Sequence, residues 1–382
     1  MSSEIYFDYA ASAPLEPASR QAAVAALDLV GNPSATHSFG RSARAVADEA
    51  RRQVASLIRA EPAAIVFTAG ATEANATAIN AAWVAAGEKG HVLVSAAEHP
   101  SVRAAVDRLV VRGAEIEILP IDRFGAVTAE AVISKLRPET ALVAVMAVNN
   151  VLGTIQPTAG IGAAVAAERA RRGPGGRPIW FHCDAVQAVP WFAVRPTDFG
   201  ADTLAFSGHK IGGPKGIGAL YVREGLPLSP LIVGGGQESG RRSGTENLAG
   251  IAGFGAAAEI SVRRREAAAT SADGLRRRLM SALAPFGSRL TVMSPPDGVP
   301  GIVYVTDRRL SGDELALRLD AAGIAVSSGA ACAAGARKAS PVLTAAWGEV
   351  AARHGGIRVS FGGATPAEDI DSLVSVLRKV LG

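Results

Sequence analysis

Cysteine is scarce in this chain: Cys183 and Cys332 are the only two in 382 residues. Two thiols so far apart make no disulfide framework, which points to a reducing, cytoplasmic compartment. Aromatic residues are few, at 5%, and none interleave with the arginine clusters at 169–172, 263–265 and 276–278. With a formal net charge of only +4 and no nucleic-acid motif, those arginines read as solvated helix faces, and no nucleic-acid partner is expected. Long apolar runs are missing too. The Ala-Gly-rich stretch 248–258 falls short of the roughly 18 residues a membrane span needs, so no membrane association is expected. The N-terminus lacks the basic-then-apolar pattern of a signal peptide. Asn75-Ala76-Thr77 matches a glycosylation acceptor, a match without meaning in a reducing compartment. No resident metal is expected.

What is abundant is alanine and glycine, within a chain that is 48% hydrophobic. That composition suits a compact α/β protein, and the length calls for two domains. Short apolar runs at 64–68, 91–95, 115–119, 142–147, 179–184, 203–206 and 218–222 alternate with helix-like segments at 73–86, 99–112, 129–135 and 161–171. This is the pattern of a mostly parallel sheet covered by helices. After about residue 240 the character changes. A long Ala/Arg-rich helical region, 248–283, leads into a βα pattern at 301–306, 312–322, 324–327 and 357–361. The expectation is a large domain over residues 15–255 and a smaller α+β domain over 256–382, joined by residues 1–14.

The densest chemistry lies at Ser207-Gly208-His209-Lys210, directly after an apolar run. Lys210 can form a Schiff base, Ser207 and His209 can hold an anion, and the flanking glycines let a ligand approach the backbone. Together these suggest pyridoxal phosphate. Other signals also fall at predicted strand ends, where ligands bind in open α/β sheets. The turn Ala69-Gly70-Ala71-Thr72-Glu73 opens a helix whose free N–H groups and dipole suit a phosphate; ordinary capping by Thr72 is the bland alternative. Asp184 ends a strand, and a protonated pyridine nitrogen is a good partner for it, with helix capping an even alternative. Gln187 can reach a ring hydroxyl. His99, at a helix start, can stack on a ring and exchange protons near neutral pH, although a lone strand-end histidine is more often structural. Asn149-Asn150 terminates another strand, with turn formation as its default role. Cys183, inside a strand, reads as core.

With these residues in place, the chain closely resembles the cysteine desulfurases, class V aminotransferase relatives among the fold-type I pyridoxal phosphate enzymes. The likeness runs nearly end to end, through Tyr6-Phe7-Asp8-Tyr9-Ala10-Ala11, Gly70-Ala71-Thr72-Glu73, Glu98-His99, Asn149-Asn150, Asp184, Gln187, Ser207 to Lys210, Arg242-Ser243-Gly244-Thr245, Ser327 to Cys332 and Arg358 to Gly362. The resemblance implies a large domain with a mostly parallel seven-stranded sheet. It implies that Lys210 carries the cofactor, and that Ala71, Thr72, Ser207 and His209 hold its phosphate. Thr245 would be contributed by the other subunit of a homodimer. Asp184 would pair with the ring nitrogen, Gln187 and Asn149 with the ring oxygen, and His99 with the ring face. Asn149 and Arg358 would bind the carboxylate of L-cysteine, Arg358 through its bidentate fork. Cys332 would be the nucleophile that receives sulfur as a persulfide and passes it to an acceptor or iron–sulfur scaffold, where it could transiently ligate a cluster.

Twenty-six positions separate Cys332 from Arg358, which resembles the long-loop subgroup that hands sulfur directly to a partner. Arg337, Lys338 and Arg353 nearby suit an acidic one. The chain departs from the family pattern at Ala76, Ala147, Val151 and Val186, where the family usually carries asparagine, histidine, glutamate and threonine. The competing expectations are another class V activity, an aminotransferase or a selenocysteine lyase, and a degenerate non-catalytic scaffold.

Overall fold

The computed structural model describes residues 4–328 and 339–382. Twelve strands are found among them: β1 Ile5–Tyr6, β2 Ile65–Thr68, β3 Gly90–Ser95, β4 Ala114–Leu119, β5 Thr140–Ala144, β6 Trp180–Asp184, β7 Thr203–Ser207, β8 Gly218–Val222, β9 Leu290–Val292, β10 Ile302–Asp307, β11 Ile324–Ala325 and β12 Ile357–Ser360. Seven of them form the central sheet in the order β2-β8-β7-β6-β5-β3-β4. Only β8 runs antiparallel to its neighbours there; the remaining pairs are parallel. The mostly parallel seven-stranded sheet is therefore present. Apart from the edge strand β4, whose Glu115 and Ile118 are exposed, it is buried on both faces, which is why its strands read as apolar runs rather than alternating ones. Its strand order reverses at β3, which has β4 on one side and β5 on the other, the kind of switch point where a crevice opens at the carboxyl ends.

A separate sheet, β12-β10-β9, is antiparallel throughout. Its apolar face packs with Leu315, Leu319, Ile370, Leu373 and Leu377 into a second core. The helix Leu248–Leu283 serves both cores. Ile251, Phe254, Ala257 and Ala258 sit in the core of the large sheet, whereas Ala272, Leu275, Leu279 and Leu283 sit in the second one. Near the end of this helix Arg276 is buried and donates to the carbonyls of Val299 (3.0 Å), Ile302 (2.9 Å) and Pro295 (2.6 Å). It thereby holds the segment that enters β10.

The N-terminal segment belongs to this second region. Strand β1 pairs in parallel with β11, Ile5 against Ile324 and Tyr6 against Ala325, and Phe7 is fully buried in the second core. Asp8 then bridges to Ser360, and the Ala10 N–H donates to Ser360 Oγ at 2.9 Å. From there the chain runs across the mouth of the large sheet.

Candidate active site

The carboxyl ends of β2, β6 and β7, with the loop after β3, surround a cavity of about 830 Å³. Ala71, Thr72, His99, Asp184, Gln187, Ser207, His209 and Lys210 all line it. The helix Ala71–Ala85 begins at this cavity, and its N-cap residue, Gly70, makes no side-chain capping bond. Thr72 lies inside the first turn rather than at the cap, so its hydroxyl and the first N–H groups remain available to an anion. The turn rests directly on β8: a Cβ at Gly218 would stand 2.8 Å from the Gly70 backbone. Glu73 secures the turn by accepting from Ala69 N–H at 2.9 Å and pairing with Arg242 at 2.9 Å.

Lys210 ends a single helical turn after β7. Its Nζ donates to the carbonyls of Ala10 (2.6 Å) and Ala11 (2.8 Å). Burial, aided by nearby Arg358 and opposed by Asp184 and Asp8, lowers its pKa to about 8, so an uncharged, nucleophilic amine is accessible in mild base. Gln187 Nε2 donates to the same Ala10 carbonyl at 2.8 Å. Burial, with Lys210 and Lys215 adding to it, lowers the pKa of His209 to about 4. Its ring is therefore neutral at physiological pH.

Asp184 is 3% exposed and has no ion-pair partner among the described residues. Its Oδ1 accepts from Val186 N–H at 3.0 Å, the local capping contact, and its Oδ2 accepts from Asn75 Nδ2 at 2.8 Å. A buried carboxylate served only by neutral donors and facing a cavity calls for a cationic ligand atom. A protonated pyridine nitrogen is such an atom. Together with the amine and the helix start, this carboxylate fits pyridoxal phosphate.

A second cavity, of about 280 Å³, shares Ala11, His99, Asn150 and Lys210 with the first and adds Asp8, Glu98, Ser327, Ser340 and Arg358. Arg358, on β12, donates to Asp8 Oδ1 at 2.7 Å and to the Asn150 carbonyl at 2.8 Å. Its buried Nε has no hydrogen-bond partner among the described residues. Glu98 is buried, with Oε1 accepting from Met146 N–H at 2.6 Å and Oε2 without a partner among the described residues. Burial, then the charge of Asp184, raises its pKa to about 8 against the Met146 hydrogen bond and Arg103. Lys210 stands at the junction of the two cavities.

One assignment needs correcting. Asn149, expected at the ring oxygen and the substrate, is wholly buried. Its Nδ2 donates to the Ala97 carbonyl at 3.0 Å, and its Oδ1 accepts from Val151 (2.9 Å) and Leu152 (2.8 Å). This side chain builds the turn after β5, the default role of such a residue, and the neighbouring Asn150 lines both cavities instead. Thr245 is exposed and outside both linings. Cys332 lies outside the described residues, but Ser327 and Ser340, on either side of its segment, both line the second cavity. Cys183 is fully buried in β6, as expected of a core residue.

Sequence reasoning missed several groups. Asn75, set aside as a meaningless glycosylation match, is buried and bonded to Asp184. His182 and Ser101 are hydrogen-bonded to it in turn. The carbonyls of Ala10 and Ala11 hold the lysine. Of the four departures from the family pattern, Ala76 and Val186 line the first cavity, Val151 the second, and Ala147 is core.

The fold and the site define a two-core α/β enzyme with a lysine between a cofactor-sized cavity and a substrate-sized one. The chain belongs to the aminotransferase class-V family, whose model matches residues 5–373, and within that family it falls with the cysteine desulfurases. It is 38% identical over 378 residues to "Cysteine desulfurase IscS 1" of Archaeoglobus fulgidus, covering 98% of this chain and 96% of that protein. Among solved structures it resembles a "NifS-like protein" with a TM-score of 0.90 at 30% identity, covering 99% of each chain. It also resembles a structure described as "SspA in complex with cysteine", with a TM-score of 0.81 at 33% identity, covering 94% of this chain and 98% of that one.

Proposed function

We propose that this protein is a pyridoxal phosphate-dependent cysteine desulfurase that moves the sulfur of L-cysteine onto Cys332 and releases L-alanine. The observation that carries this reading is the placement of Lys210 between a cavity containing a buried, cation-seeking Asp184 and a cavity containing Arg358. Relatives bearing the desulfurase name, and the cysteine complex of one structural neighbour, support the choice of substrate.

In that reading Ala71, Thr72, Ser207 and His209 hold the phosphate, with the helix start supplying N–H donors. Asp184 keeps a proton on the ring nitrogen, His99 covers the ring face, and Gln187 and Asn150 serve its oxygen. When bound, the cofactor supplies an electron sink for the carbon from which a proton is removed. The Lys210 amine, with its lowered pKa, takes that proton. Arg358 supplies positive charge for the substrate carboxylate, and Asp8 and the Asn150 carbonyl hold its guanidinium. The transfer balances: the Cβ–S bond of cysteine breaks, an S–S bond forms at Cys332, and the three-carbon fragment leaves as alanine.

The finer parts of the reading are a homodimer, a cytoplasmic location and delivery to an iron–sulfur scaffold or another sulfur acceptor. Exposed Thr245 and the exposed apolar side chains of Leu231, Ile232 and Val233 favour a second subunit over this edge of the site. A nucleophilic thiol that must stay reduced favours the cytoplasm.

The test is Cys332→Ser, assayed with a reductant for alanine and sulfide. The variant should take up the cofactor with an unaltered visible absorption band yet form almost no sulfide. Undiminished sulfide release overturns the role of Cys332.

A further inference from the structure

Six buried or half-buried polar residues beneath the cofactor cavity form one hydrogen-bonded run. Thr203 Oγ1 lies 2.9 Å from His182 Nδ1, and His182 Nε2 lies 2.9 Å from Asn75 Oδ1. Asn75 Nδ2 reaches both Asp184 Oδ2 at 2.8 Å and Ser101 Oγ at 2.9 Å. Ser101 Oγ is 2.8 Å from His99 Nδ1, and the Ser101 backbone N–H also donates to that nitrogen at 3.1 Å.

The directions of these bonds follow from what each group can do. An ionised carboxylate only accepts, so Asn75 must turn its NH2 group toward Asp184. The second amide hydrogen then goes to Ser101 Oγ, which is left to donate its own hydrogen to His99 Nδ1. A backbone N–H can only donate, so it requires a lone pair at the same nitrogen. On the other side Asn75 Oδ1 must accept, so His182 carries its proton on Nε2 and takes the Thr203 hydroxyl hydrogen on Nδ1. Every bond points one way, and the charge of Asp184 sets the sense. Burial agrees, because it lowers the pKa of His182 to about 3 and keeps that ring neutral.

We propose that Asn75 and Ser101 are positioning residues that lock His99 in the Nε2–H tautomer, so that His99 meets a ligand as a hydrogen-bond donor and not as a base. The only nitrogen of the ring able to take up a proton is already occupied by two donors. Protonating it means turning away both Ser101 contacts. Burial also disfavours the imidazolium, with Asp184 opposing that effect and Lys210 reinforcing it. The remaining charged or titratable groups that line the two cavities with the ring are Asp8, Glu98 and Arg358 in the second and Glu73, His209 and Lys215 in the first. The proton of the Cys332 thiol must therefore leave by another acceptor, since His99 has no free basic nitrogen. The functional consequence rests on the desulfurase reading; the tautomer does not.

The tautomer is tested on the cofactor-free protein labelled with 15N-histidine. Only six histidines are present, and the His99 signals are those lost in His99→Gln. A long-range 1H–15N spectrum should show His99 as a single Nε2–H form from pH 6 to pH 9; a mixture or the Nδ1–H form overturns the proposal. Ser101→Ala removes one of the two donors and should raise the His99 pKa by about half a unit or more. An unchanged titration refutes the positioning role of Ser101 and Asn75. In the cofactor-loaded enzyme, His99→Gln keeps an N–H donor but has no base. It should retain roughly tenfold more kcat/KM than His99→Ala, and equal losses refute the donor role. If the apo protein shows the locked tautomer but never develops a pyridoxal phosphate absorption band, the desulfurase reading fails while the tautomer stands.

Discussion

Replacing Glu98 by glutamine should stabilise this protein, and the gain should grow with pH. Glu98 is held with one carboxyl oxygen on Met146 N–H and the other without a partner among the described residues, near the charge of Asp184. Its native pKa is raised to about 8 from an ordinary 4.5. Between those values the native carboxyl keeps its proton while the unfolded one has lost it. The native state then binds more protons, so stability falls as pH rises through this window and levels off above about pH 8. Each pH unit is worth about 1.4 kcal/mol, giving a ceiling of about 5 kcal/mol for the whole shift. From pH 5 to pH 7 the wild-type protein should lose about 2.5 kcal/mol through this group. Glutamine keeps an oxygen for Met146 N–H and cannot ionise, so the variant lacks that loss. Other titrating groups are common to both proteins and cancel in the difference. Urea unfolding of cofactor-free wild type and Glu98→Gln, at half-unit steps from pH 5 to pH 8, measures it directly. A stability gap that stays constant, or that narrows as pH rises, refutes the neutral-carboxyl argument.

The lowered pKa of Lys210, about 8, implies that pyridoxal phosphate loads into the apo protein faster as pH rises and that the rate levels off above about pH 8. A loading rate that is flat from pH 6 to pH 9 contradicts this. Arg276→Met leaves three buried carbonyls without their donor, at roughly 1 kcal/mol each, so denaturant unfolding should show a loss of about 3 kcal/mol. A loss below about 1 kcal/mol would mean that water or backbone adjustment replaces the guanidinium.

Much of the large sheet was readable because a strand buried on both faces is an uninterrupted apolar run bounded by turn residues. The run at 142–147 shows the limit of that signal: the strand ends at Ala144, and the chain stays buried while it turns toward Asn149. Apolarity reports burial, not pairing. Strand β9, three residues at a sheet edge with Thr291 exposed, carries too little pattern to be read. The lysine, the aspartate and the helix start were legible because their chemistry is unusual at strand ends. Asn75 was not, since an asparagine inside a helix pattern looks solvated until the fold buries it against Asp184 and His182. The exchange of Asn149 for Asn150 has the same origin, because adjacent residues of one type differ only in where the turn points them.

The strap formed by residues 5–11 reaches further than its length suggests. Its two ends answer to different parts of the molecule: β1 is woven into the second core, while the Ala10 and Ala11 carbonyls grip Lys210 and Gln187. A deletion within this strap would strip the reactive amine of both its acceptors, so a segment about 200 positions from Lys210 in sequence answers to the chemistry of that amine.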